Sequence, residues 1–472
     1  MSRFPSYQLA VKCLHERALV FNTIGNNAAA LEDLRKGISI AQQHANSELQ
    51  ARCLSAQCEV LGSISRFEEM AISAKAALKL YRTLHNRKGE ADCLINLGYV
   101  YDSTSDHHKA EKFYFKALLK IKHTGYLYGR VVIYNNLGRV YDNLGDFKNA
   151  GHFYQVASRI SQRSGDLSLR ALSLNNIGAL NHNIHNYKKA LAFYKQASML
   201  HEKTGNLEDL AVVFNNIGNA LLKMGEYLGA LDYFNKALSI KQVIGNEESV
   251  ALTLSNIGQL FYILGDYEAG LRSLDRSNEI LKKVKNFYVQ AYNHIRIARI
   301  LIAQGLCQKA TPYLQDALLL CRRYPRREIV RQIQLTRAWR DLRMNRLRSA
   351  RAAGRTALSV ARESASKIGS AEVMVVIGTV DLVEGKYSHA QQKLHKAYKL
   401  MVAHGQEYDV ARSLHYYTLG ELHSGKKQAA LRDAKRCKKI FAKLKLKHWV
   451  MKTERVARTC QENQRKNTTF LI

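Results

Sequence analysis

Proline is nearly missing from this chain, with 3 residues in 472. No stretch rich in serine, glycine or proline interrupts it, so nothing marks a linker, and the chain reads as one continuous domain. Acidic residues are scarce: 39 against 72 basic, a formal charge of +33. The eight cysteines, Cys13, Cys53, Cys58, Cys93, Cys307, Cys321, Cys437 and Cys460, include no C-x-x-C pair. Their spacing argues for reduced, buried thiols in an intracellular, cytoplasmic chain. No apolar run approaches the roughly 18 residues that cross a bilayer. The opening residues MSRFPSYQLAVKCLHERALVF lack the continuous apolar core of a secretory signal. Asn467-Thr468-Thr469 spells a glycosylation sequon that an intracellular chain leaves unused.

Catalytic signatures are missing as well. There is no GxSxG, HExxH, phosphate-binding loop or dinucleotide fingerprint. Histidines number 17, but His107-His108, His182 and His185 have no carboxylate or cysteine at ligand spacing. We therefore expect no metal, no cofactor and no catalytic residue.

What the chain does have is a period of 40. Small residues recur at Ala18, Cys58, Gly98, Gly138, Gly178, Gly218, Gly258, Ala298, Ala338, Gly378 and Thr418. Twelve residues further on, the series runs from Ala30 and Met70 to Ala390 and Ala430, and nineteen on from Gly37 and Ala77 to Ala397 and Cys437. No insertion breaks the register. A fixed period in this range means a solenoid, in which each unit packs only on its neighbours.

Residues 130–166 show what a unit is. Val132, Ile133, Leu137, Val140, Tyr141 and Leu144 fall at helical spacing. Gly145-Asp146 breaks that helix. Phe147, Ala150, Phe153, Tyr154, Ala157 and Ile160 then form the apolar stripe of a second helix. Gly165 ends it, as Gly125, Gly205, Gly245 and Gly405 do in other units; a left-handed residue after the helix is expected at each. The unit containing Ala338 fits least well. Arg337, Arg340 and Asp341 occupy positions that are apolar elsewhere, so its first helix is either rotated, shifted, or weakly packed.

The pattern Leu137-Gly138, Tyr141, Gly145, Phe147, Ala150, Tyr154 and Ala157 resembles a tetratricopeptide repeat. The usual period of that repeat is about 34; the longer one here is similar to kinesin light chains, Pins-type adaptors and bacterial signalling proteins. The resemblance implies an all-α, right-handed superhelix of about eleven helix-turn-helix repeats over residues 1–442. Residues 443–472 read as a capping helix, centred on 446–464, with a short basic tail. It implies no single activity, because the repeat serves many unrelated partners. Rap-type phosphatases join similar repeats to a separate N-terminal bundle; here the repeat already begins by about residue 7, so that arrangement is not expected.

One position breaks the apolar logic in a regular way. Two residues before the marker glycine stand Asn96, Asn136, Asn176, Asn216 and Asn256. In the resembling superhelices this face of the first helix lines the inner groove. A column of amides there resembles an asparagine ladder, which pairs with the N–H and C=O of an extended peptide whatever its sequence. Asn135, Asn175 and Asn215 sit beside it. The other reading is that these amides bond one another between repeats. Along the same face Arg139, Arg296 and Arg299 favour carboxylates or phosphates, and Trp339 and Arg343 continue the stripe.

Charge is uneven. Residues 322–367 carry a net +11 and residues 426–466 a net +12, together +23 of the +33. A solvated face, an acidic protein partner and nucleic acid all remain open as explanations. The expectation is a non-enzymatic adaptor holding an extended acidic protein segment in its groove. The rivals are a nucleic-acid-binding solenoid and a peptide- or metabolite-sensing module of a signalling protein.

Overall fold

The computed structural model describes residues 6–323 and 326–461. The sequon at Asn467 and the tail beyond residue 461 lie outside the described residues. Those described hold twenty-three α-helices and no strand. Helices α1 (Ser6–Thr23), α2 (Asn27–Gln43), α3 (Ser47–Ser63), α4 (Phe67–Thr83), α5 (Arg87–Ser103) and α6 (His107–Ile121) form three pairs. Next come α7 (Leu127–Asn143), α8 (Phe147–Ser164), α9 (Leu167–Asn183), α10 (Tyr187–Thr204), α11 (Leu207–Met224) and α12 (Tyr227–Ile244). They are followed by α13 (Glu247–Leu264), α14 (Tyr267–Val284), α15 (Phe287–Ala303), α16 (Ala310–Arg323), α17 (Arg327–Arg343) and α18 (Leu347–Glu363). The last are α19 (Lys367–Val383), α20 (Tyr387–His404), α21 (Glu407–His423), α22 (Lys427–Lys443) and α23 (Lys447–Gln461). Odd and even helices alternate as first and second members of a repeat; α1–α2 to α9–α10 in the first unit and α13–α14 to α21–α22 in the second pack as antiparallel pairs, and α23 packs on α22. Contacts group the chain into two compact units. One holds residues up to 220 with 239–246; the other holds 221–238 with the residues from 247 onward.

The turns repeat at twenty residues, half the repeat. Gly25, Gly125, Gly145, Gly165, Gly205, Gly225, Gly245, Gly265, Gly305, Gly385 and Gly425 all have positive φ, and between them Ala45, Ser65, His85, Ser105, His185, Lys285, Asn345, Ala365 and Lys445 adopt it without being glycine. One left-handed residue reverses the chain, and at many turns the next side chain caps the following helix. Asn46 accepts from Leu49 N–H, Asn86 from Gly89, Asp146 from Asn149 and Asp266 from Ala269. The left-handed backbone costs a non-glycine residue about 1–2 kcal/mol, and a side-chain cap returns about 1 kcal/mol. Gly405 departs from the expectation: its φ is −88° and its ψ 172°, extended rather than left-handed.

Within each pair the helices meet at the marker residue. A Cβ on Gly98 would lie 2.5 Å from the Tyr114 ring, on Gly138 2.6 Å from Tyr154, and on Gly178 2.6 Å from Tyr194. Gly258 and Gly378 meet Leu274 and Leu394 in the same way, at 2.6 and 2.7 Å. The partner always stands sixteen residues on. Where the marker is larger, at Cys58, Ala298, Ala338 or Thr418, the residue sixteen on is Ala74, Leu314, Gly354 or Ala434, never aromatic. Bulk is exchanged across the contact, so the pair keeps its spacing.

The unit of Ala338 keeps this register. Ala338, Ala350 and Ala357 are fully buried, as their equivalents are elsewhere. Helix α17 is neither rotated nor shifted, and Arg340 and Asp341 are paired. Asp341 accepts from Arg340 Nε at 2.8 Å and from Ser349 Oγ at 2.6 Å. One repeat later Asp381 takes the same slot, bridged by Arg351 at 2.7 Å and Lys393 at 2.5 Å. Ion pairs replace apolar packing there. Removing one partner of such a buried pair costs about 3–5 kcal/mol.

The glycine contact sets a clear expectation. Gly178→Ala gains about 1 kcal/mol of helix propensity but meets the Tyr194 ring, at an overpacking cost of about 1–3 kcal/mol. Urea unfolding should show a net loss of stability. Combining it with Tyr194→Leu, the residue type found opposite Ala298, should cost less than the two single changes together. Simple additivity would show that the ring does not require the glycine.

Candidate functional site

First helices of successive repeats touch one another within each unit: α5 with α7, α7 with α9, α15 with α17, α17 with α19 and α19 with α21. Second helices make no comparable contact among the described residues. The first helices therefore lie on the inner side of the curve, and the asparagine column lies on them.

Asn96, Asn136, Asn176 and Asn216 stand half-buried on α5, α7, α9 and α11, and Asn256 on α13. Asn216 Nδ2 donates to Asn175 Oδ1 of the preceding repeat at 3.0 Å. Arg296, at the same register position, reaches back in the same way: Nη1 donates to Ser255 O at 3.1 Å and to Ser255 Oγ, and Nη2 to Gln259. Asn135, beside the column, is buried and donates to Ser173 Oγ at 3.3 Å, so it bonds within the stack. Arg139 lies 5.2 Å over the Tyr99 ring, and its Nε donates to Asp102 at 2.9 Å. Asp102 also holds His107 Nδ1 at 2.9 Å and Asn143 at 3.3 Å. Several of these first-helix residues are thus engaged with the neighbouring repeat.

Arg299, Trp339 and Arg343 come together elsewhere. They line a cavity of about 100 Å³ within the second unit, with Tyr262, Tyr408, Tyr416, Arg412, Glu372, Trp449 and Lys452. Both tryptophans of the chain are in its wall. Trp339 packs at 5.2 Å on Tyr416. Trp449 stacks at 4.9 Å on Phe441 and carries Lys452 Nζ 4.7 Å above its ring. Helix α23 is therefore a wall of the cavity as well as the last element of the stack. Its His448 sits against the α13–α14 turn, where a Cβ on Gly265 would lie 2.8 Å from Nδ1.

The walls are cationic and aromatic. Arg299 donates through Nε to Thr336 Oγ1 at 3.2 Å and through Nη2 to Gln332. Burial pushes the Glu372 carboxyl upward, but Arg331, Arg412 and Arg299 together hold its pKa below the usual range. Arg331 engages it directly at 2.7 Å. Burial keeps the His415 and His448 rings neutral, with pKa values lowered to about 3 and about 4. Burial, with repulsion from Arg343 and Arg455, lowers Lys452 to about 8. Four cations thus face one carboxylate among the lining side chains. Such an arrangement has the charge to receive an anion, and the rings add flat apolar surface beside it.

Sequence reasoning reached three of these residues. Glu372, Arg412 and Tyr416 were missed, although they stand in the same 40-residue columns as Asp92 and Asn96. Carrying the stripe through the later repeats finds them. Trp449 and Lys452 belong to α23, outside the repeat, and no periodic signal points to them.

Residues 130–203 and 209–283 match one tetratricopeptide repeat family, and residues 91–119 match a second. No curated protein matches the sequence. Among solved structures, the apo form of the quorum sensor NprR from B. thuringiensis aligns with a TM-score of 0.55 and 13% identity, over 73% of this chain and 99% of that one. A signal-transduction ATPase with a tetratricopeptide repeat sensor, from Pyrococcus horikoshii, aligns with a TM-score of 0.54 and 15% identity. It matches over 73% of this chain, which spans 54% of that protein. At these identities the likeness concerns the fold.

Lys452 gives the cavity a measurable cost. Its folded pKa lies below the unfolded value of about 10.4, so between about 8 and about 10.4 the unfolded chain binds more protons. Stability then rises with pH across that window and carries the full penalty below it. Lys452→Met should therefore raise the melting temperature at pH 7, and the gain should shrink above pH 10. A variant less stable at pH 7 would show that the ammonium holds the cavity together.

Proposed function

We propose that this tetratricopeptide-repeat chain is a non-enzymatic interaction module that holds an extended, acidic segment of a partner protein against its first helices. The cavity walled by Arg299, Trp339, Arg343, Arg412 and Lys452 is the anchor for its carboxylates. The observation that carries this reading is the imbalance of that cavity: four cations and six aromatic rings against Glu372, whose charge Arg331 already answers. An excess of recessed positive charge destabilises the empty fold, and a bound anion offsets that cost.

Amides along the first helices of the first unit offer contacts of their own. Each net hydrogen bond to a peptide backbone contributes about 0.5–1.5 kcal/mol. Asn136 and Asn176 have positions open to this role, while Asn216 already bonds Asn175 and Arg296 already bonds Ser255. The wall formed by α23 supports a second reading, a sensor for a short peptide, because it narrows the space beside Trp339. The eight free thiols, seven of them buried, support a reducing, cytoplasmic setting.

The two tryptophans make the test direct. Titration with acidic and basic peptides of equal length should change intrinsic fluorescence only for the acidic set. Arg343→Ala combined with Lys452→Met should weaken that binding by about 1–3 kcal/mol, roughly ten- to a hundredfold, and the difference should shrink in high salt. Asn176→Ala with Asn216→Ala separates the two roles of the amides. Weaker binding with an unchanged melting temperature supports peptide contact; unchanged binding with a lower melting temperature makes them staples between repeats. Acidic peptides that bind the cavity variant as well as wild type would end the anchor reading.

A further inference from the structure

The cavity uses little of the positive charge. Most of the remainder in the second unit stands on the second helices. Six cations repeat in three columns along α18, α20 and α22: Arg355 with Lys435, Lys396 with Arg436, and Lys399 with Lys439. All six are exposed and stand outside every ion pair of the described residues. Their neighbours differ. Arg351 and Lys393 are tied to Asp381, Lys438 to Glu454 at 2.8 Å and Lys443 to Glu407 at 2.7 Å. The structure thus separates cations that hold repeats together from cations that hold nothing. Within the three helices the only carboxylates are Glu363 and Asp433, and Asp433 lies 3.5 Å from Arg432.

We propose that the outer face formed by α18, α20 and α22 binds the phosphate backbone of nucleic acid, without reading its sequence. Three features point to this polymer. Lys396 with Arg436 and Lys399 with Lys439 recur at the 40-residue period, and Arg355 with Lys435 at twice it, matching a ligand whose own charge recurs along its length. Arginine and lysine are mixed, as in phosphate recognition. No large apolar side chain is exposed on α18 or α22, and on α20 only Tyr387 and Val402, near its two ends, are. A bilayer-binding face places aromatic or aliphatic anchors among its cations, and this one does not. The face also lies on the second helices, whereas the cavity is lined almost wholly by first helices and α23, so both surfaces are available at once.

The test uses the full chain and two labelled probes, a 20-nucleotide RNA and a 20-base-pair DNA duplex of arbitrary sequence, read by fluorescence anisotropy. Lys396→Glu with Lys399→Glu alters the proposed face. Lys75→Glu with Lys79→Glu, exposed on α4, makes the same change in net charge elsewhere and serves as the control. The α20 variant should raise Kd at least about tenfold and lower the slope of log K against log salt by about 2 for the duplex, one per lost phosphate contact. The α4 variant should have a much smaller effect. Lys435→Glu with Lys439→Glu on α22 should repeat the α20 result, and circular dichroism should show all variants folded. Equal losses on α4 and α20 would reduce the effect to net charge and overturn the proposal. So would an absence of binding near 100 mM salt. Flotation with phosphatidylserine vesicles completes the set: vesicle binding that the α20 variant abolishes, while nucleic-acid binding persists, would assign the face to membranes instead.

Discussion

The architecture depends on how closely two helices approach within each pair. At Gly98, Gly138 and Gly178 the first helix offers bare backbone, and a tyrosine ring from the second helix lies where a side chain would stand. Tyr114, Tyr154 and Tyr194 are almost fully buried there. Bulk on one helix is matched by its absence on the other, so successive pairs keep a common spacing although their residues differ. That common spacing allows a stack with no insertion. It also explains why Cys58, Ala338 and Thr418 are tolerated at the marker position: the residue sixteen on has become alanine or glycine.

The turns supply the second regularity. A left-handed residue reverses the chain every twenty residues through most of the molecule, and at many turns the next side chain caps the following helix. Lysine, histidine and alanine accept the left-handed backbone at some turns because the caps and the packed helices on both sides over-determine it. Gly405 is the exception, and its glycine serves an extended backbone instead.

Polar residues divide between two tasks in this framework. Asp341, Asp381 and their arginine and lysine partners sit between helices and replace apolar contacts, so a unit that looks unsuitable by composition is firmly held. Glu372 does the same work beside the cavity through Arg331. Arg343 and Lys452 form no ion pair with a carboxylate among the described residues, and burial, with repulsion from Arg343 and Arg455, depresses Lys452 to about 8. Keeping such charges recessed costs the fold stability.

The helix pairs, their number and their register are legible in the sequence because each depends on residues within one repeat: an apolar stripe, a turn residue, a small residue facing a large one. Sixteen- and twenty-residue spacings are local enough to leave a periodic trace. The asparagine column leaves a periodic trace for the same reason. What those amides bond to was not legible, since Asn216 meets Asn175, and Arg296 meets Ser255, across a separation of 41 residues that only stacking brings to hydrogen-bond distance. The pairing that accommodates Asp341, the outward position of Lys396 and Lys439, and the closing of the cavity by Trp449 and Lys452 were likewise decided by tertiary structure. Helix α23 lies outside the period, so no repeat position predicts its partners; it meets the Gly265 turn, some 180 residues earlier in the chain, because curvature carries the stack around to it.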